Sequence, residues 1–81
     1  MNELKCKVSA FWDQEAQVWT AESENIPGLA TEAETLEALT QKLRILVPEL
    51  LELNNMMPNA PVSQIAIEIT SHRQEVIPVT K

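Results

Sequence analysis

A single glycine, Gly28, serves a chain of 81 residues. That scarcity excludes every glycine-dependent site, the phosphate-binding loop, the dinucleotide fingerprint and the nucleophile elbow alike. Cysteine and histidine occur once each, as Cys6 and His72. One of each cannot complete a zinc sphere, and the lone cysteine forbids an internal disulfide. Basic residues are missing from a long interval: no Lys or Arg falls between Lys7 and Lys42, where Asp13, Glu15, Glu22, Glu24, Glu32, Glu34 and Glu37 all lie. The net charge of −6 argues against independent binding to nucleic acid or an anionic membrane. No apolar run approaches the roughly 18 residues that span a bilayer. No positively charged leader precedes a hydrophobic run, so a cytoplasmic location is expected by default.

The long feature that is present is an apolar stripe. Leu36, Leu39, Leu43, Leu46, Val47, Leu50 and Leu53 recur at steps of three and four, which predicts an amphipathic helix from Thr35 to about Leu53. Thr35 is its expected N-cap, with Glu34 and Glu37 where the helix dipole favours negative charge. Ala38 stands where a capping box would need Glu or Gln. Pro48 deletes one helical hydrogen bond, yet the apolar phase is unchanged across it, which predicts one kinked helix rather than two. Asn54 and Asn55 supply the stop.

On either side of the helix the period is two. Leu4, Cys6, Val8, Ala10 and Trp12 alternate with polar residues over residues 3–12, and a turn at 13–16 leads to a second strand over 17–23. A short symmetric hairpin would set Trp12 against Gln17, Ala10 against Trp19 and Val8 against Ala21, placing Cys6, Trp12 and Trp19 in the core. Ile26-Pro27-Gly28 has the chemistry of a type II turn, with Gly28 at the corner that needs positive φ. Residues 29–31 suggest a short third strand. The Met56-Met57 pair and Pro61 mark a crossover loop. Ile65, Ile67 and Ile69 then define a strand, residues 71–74 with His72 a solvated turn, and residues 76–79 a last edge strand containing Pro78. The expected architecture is a single α+β domain over residues 1–81, β-β-(β)-α-β-β, with one helix on a mostly antiparallel sheet.

Chemistry is thinly represented, and no catalytic, cofactor-binding or metal residue is assigned. Asp13, Glu22, Glu24 and Glu68 lie on or beside strands and offer the only route to a metal-dependent nuclease, the less favoured alternative. The charge pattern carries more: the acidic residues Glu22, Glu24, Glu32 and Glu34 suit a docking surface for a basic partner. Phe11 and Val18 alternate onto the sheet face that has no second helix to cover it. Together these six residues are the candidate partner-binding set. The exposed apolar pair and poorly protected edge strands also lead us to expect a homodimer or higher homo-oligomer.

The segment Glu24-Asn25-Ile26-Pro27-Gly28-Leu29-Ala30-Thr31-Glu32-Ala33-Glu34-Thr35-Leu36-Glu37 resembles the HicB antitoxin signature, in which a strand ends in an acidic-x-aliphatic-Pro-Gly turn and Thr, Leu and Glu open the helix. It is most similar to short, stand-alone HicB-like bacterial proteins, with Leu29 and Glu32 in place of the Cys and Gly common after that turn. The resemblance implies a partial, non-catalytic ribonuclease-H-like fold that neutralises a small basic ribonuclease toxin of the HicA type. The chain shows no helix-turn-helix or ribbon-helix-helix segment, so operator binding is not expected of it. An orphan structural or regulatory module without a toxin is the alternative.

Overall fold

A computed structural model describes residues 3–57 and 64–80. The part of the expected crossover loop that holds Pro61 lies outside the described residues. Alternation over the N-terminal segment gives β1 (Glu3–Asp13), followed by β2 (Val18–Glu22), β3 (Thr31–Ala33), the helix α1 (Leu36–Leu53) and β4 (Gln64–His72). The four strands form one sheet in the order β3-β2-β1-β4. β1 pairs antiparallel with β2, and β2 with β3. The longest pairing, β1 with β4, is parallel, because α1 intervenes and returns the chain to the far edge of the sheet in the same direction. The sheet is therefore mixed, with one helix on one face.

The hairpin register departs from the symmetric expectation. Trp12 lies opposite Trp19 and Ala10 opposite Ala21, rather than Ala10 opposite Trp19. The cause is the loop. Asp13 Oδ1 accepts from the amides of Glu15 and Ala16, both at 3.1 Å, while the Gln17 amide donates to the Asp13 carbonyl at 2.8 Å. Gln17 adopts φ 59°, so it belongs to the loop and β2 begins one residue later. The slip is an even number of residues, so each side chain keeps its face and only its partner changes.

Three further expectations are corrected. The third strand is Thr31–Ala33, two residues later than residues 29–31, because the amide of Leu29 is engaged by the turn. No fifth strand forms at 76–79. β4 runs on through Ser71 and His72, so the turn expected at 71–74 does not occur, and residues 73–80 have no regular structure. Val76, Ile77 and Val79 there are 87, 78 and 84% exposed.

The helix follows from its stripe. Thr35 Oγ1 accepts from the Ala38 amide at 3.0 Å, satisfying an otherwise unpaired first-turn donor. Leu39, Leu43, Val47 and Leu51, each four apart, are the buried residues, whereas Leu53 is exposed. The helix continues through Pro48 to a Schellman ending, with Met56 N donating to Leu51 O at 2.8 Å and Asn55 N to Glu52 O at 3.1 Å. Asn55 at φ 55° occupies the left-handed position this motif needs. Against the helix the sheet offers small side chains on three neighbouring strands, Ala10, Ala21 and Ala33, which leave room for the leucines. Cys6, Val8, Trp19, Ile26 and Leu29 complete the buried core.

Gly28 at φ 82° and the hydrogen bond from Leu29 N to Ile26 O confirm the turn. The segment before it is stitched to β1: the Lys7 amide donates to Asn25 Oδ1 at 2.8 Å, and the Ser23 hydroxyl donates to the Lys7 carbonyl. Side chains thus carry the ladder on where β2 ends.

Candidate protein-docking surface

Helix α1 covers one face of the sheet, and no described element covers the other. Strand alternation places Phe11 on that outer face, with Val18, Thr20 and Glu22 on β2, Glu32 on β3, and His72 at the end of β4. Phe11 is 38% exposed. Its ring stacks on His72 with centroids 4.8 Å apart and planes 16° from parallel. Val18, half-buried, sits on the same face one row away, since Asp13 pairs with Val18 and Phe11 with Thr20.

The four acidic candidates are more dispersed. Glu22 and Glu24 line a shallow depression of about 410 Å³ together with Lys7, Ser9, Ser23 and Asn25. Glu32 faces outward from the edge strand opposite Thr20, and its carbonyl accepts from Lys42 Nζ at 2.6 Å. Glu34 lies in the exposed connection between β3 and α1. The interval free of basic residues in sequence is not free of them in space, because Lys7 and Lys42 enter it from a neighbouring strand and from the helix. Phe11, Val18, Glu22 and Glu32 share a face; Glu24 borders it and Glu34 adjoins the β3 edge.

Beside Phe11 lies a group that sequence reasoning missed. Trp12 meets Trp19 edge-on at 5.4 Å, and the Arg73 guanidinium lies 4.2 Å from the Trp12 ring centroid, a cation–π contact. Trp12 Nε1 donates to Gln14 Oε1 at 2.9 Å. A depression of about 550 Å³ is lined by Phe11, Trp12, Ser71, His72, Arg73 and Gln74. The available signal was the period-two pattern running on from Ile69 through Ser71, which brings His72 and Arg73 up to the β1 aromatics once the pairing is parallel.

The carboxylates that would serve metal chemistry are not gathered. Among the described residues, no three of Asp, Glu, His and Cys form a group able to hold a metal ion. Asp13 is engaged by its loop amides, and β1 separates Glu68 from Glu22. Cys6 is buried, and burial raises its thiol pKa above the ordinary value, the opposite of activation for nucleophilic work. No helix among the described residues is long and apolar enough to cross a membrane.

One amphipathic helix on one face of a mixed four-stranded sheet, with no described element on the other, is the class of small α+β module that the geometry defines. The chain belongs to the family described as Domain of unknown function (DUF1902), whose model matches residues 5–77. It is similar to the hypothetical protein TTHA1013 from the extremely thermophilic bacterium Thermus thermophilus, at 48% identity over 90% of this chain and 99% of that one, with a TM-score of 0.75. No curated protein matches the chain.

Proposed function

We propose that the chain is a non-catalytic protein-binding module, a HicB-like antitoxin in kind, whose outer sheet face receives a small basic ribonuclease of the HicA type. The observation that carries this reading is Phe11, an exposed aromatic on an uncovered sheet face flanked by Glu22 and Glu32. An exposed aromatic with acids on the same face suits a protein partner that carries basic groups, with the ring supplying residence time and the acids speeding encounter. The Pro-Gly turn, the Thr35 cap and the acidic segment around them support the family-level comparison with HicB.

Co-expression with such a toxin tests it. The two chains should co-purify and growth should be restored. Reversal of Glu22, Glu24, Glu32 and Glu34 to Lys should slow association and remove most of its salt dependence. Phe11→Asp should instead raise the dissociation rate and leave the salt dependence alone. Failure of the folded chain to retain any small basic partner at low salt would favour the orphan-module reading.

A further inference from the structure

The segment that follows β4 is apolar, extended and in contact with little else. Val76, Ile77 and Val79 are almost wholly exposed, and the arm contributes to a molecule 62 Å long but only 22 by 19 Å across. Arg73 fixes its departure: Nε and Nη2 both reach Glu75 Oε2, at 2.9 and 2.7 Å, while the guanidinium is held over Trp12. Side chains two apart on one side of the chain are the mark of extended backbone. The arm therefore leaves along the line of β4 instead of folding back over its own strand.

β4 itself ends the sheet, with β1 on one side and no described strand on the other. Its inward face is incompletely covered. Ile65, Ile67 and Ile69 are half-buried, and between β4 and the helix opens a groove of about 320 Å³ lined by Arg44, Val47, Pro48, Met57, Ile65 and Ile67 among others. A nine-residue edge strand beside an apolar groove invites strand addition.

We propose that the occupant of this edge is the C-terminal arm of a second copy of the chain, added antiparallel to β4 in a reciprocal, two-fold symmetric exchange. Both halves of the contact are on one chain, so a single rotation satisfies both arms and closes the assembly, as an isologous dimer requires. Pro78 fixes the phase. It cannot donate to a ladder, so Val76, Pro78 and Thr80 turn their backbone groups outward while those of Glu75, Ile77 and Val79 bond to the partner's β4. Continued alternation puts the Ile77 and Val79 side chains on the same face as Ile65, Ile67 and Ile69, over the open groove. The β4 strand and its arm from each copy approach the roughly 20–30 residues a side of a standard interface. This surface is separate from the outer face proposed for a basic partner, so either can fail alone.

Sedimentation velocity on the full chain tests the exchange. The expected mass is twice the 9.1 kDa of one chain, and the Ile77→Asp, Val79→Asp double variant should sediment as a monomer, its dimer weakened roughly 100-fold or more. Those positions are solvent-facing within one copy, so the variant should keep the wild-type circular dichroism. Isotope-filtered NMR on a mixed-label dimer should show contacts from the Ile77 and Val79 methyls of one copy to Ile65 and Ile67 of the other. A wild-type monomer at high micromolar concentration would overturn the proposal. So would a dimer unchanged by the double substitution, or one whose contacts between copies lie at Phe11 and Val18.

Discussion

Gly28 shows how one residue's conformational freedom fixes a turn. A Cβ at this position would meet Leu50 Cδ2 at 3.7 Å, an ordinary contact, so space does not forbid a side chain. The backbone does, at φ 82°. Gly28→Ala should therefore cost about 1–2 kcal/mol, read as a lower urea midpoint with an unchanged slope. Leu43, fully buried, sets the contrasting scale, since Leu43→Ala should cost about 2–5 kcal/mol through the cavity it leaves. Cys6 links stability to pH. Burial raises its folded pKa, so above the ordinary thiol value of about 8.5 the unfolded chain loses a proton that the folded chain retains. The stability this confers is complete below that pH and is lost as pH rises toward the raised value. Alkaline denaturation should be steeper for the wild type than for Cys6→Ala, measured as unfolding free energy from about pH 8 to about pH 10. Each of these three residues was legible in the sequence, Gly28 from Pro27 before it and the other two from their periodicity. Phe11 was placed on the correct face, but its neighbour His72 was not, because a strand pairing across the whole chain length leaves no local mark.

At the scale of elements, α1 was readable because its cap, stripe and stop agree. The hairpin was readable in its faces and not in its pairing. Asp13 accepts two loop amides and the four-residue loop moves one position on, from 13–16 to 14–17, a competition between side chain and ladder that period-two counting cannot detect. Asp13→Ala should weaken this loop and cost about 1 kcal/mol, seen as faster amide exchange at Val18 and Trp19. The helix carries the chain's clearest local conflict at Pro48, which removes a donor from an otherwise continuous segment. Pro48→Ala should raise stability by about 1–2 kcal/mol, less than the full penalty of a helical proline because its half-buried ring also packs at the groove. The arm after β4 reads as a strand by composition, yet a strand needs a neighbour, and the pattern of Val76, Ile77 and Val79 cannot say which chain provides it.

For the whole molecule, charge is the property that sequence and structure report differently. A run without Lys or Arg suggests a strongly negative docking surface, but folding sets Lys7 in the same depression as Glu22 and Glu24 and Lys42 against the Glu32 carbonyl. The outer face therefore carries an aromatic residue with separated acids and Lys7 around it, a mixed pattern that favours one docking orientation over a diffuse attraction. Without a gathered carboxylate site among the described residues, we expect no cleavage of RNA or DNA with magnesium or manganese, and a metal-dependent activity abolished by Glu22→Gln would contradict the binding-module reading. The most direct test of that reading is NMR titration of the labelled chain with a small basic HicA-type ribonuclease at low salt. Binding tighter than about 1 μM should shift Phe11, Val18, Thr20, Glu22 and Glu32 and leave the Leu39, Leu43 and Val47 methyls in place. No association, or shifts confined to α1 and the β4 groove, would contradict it.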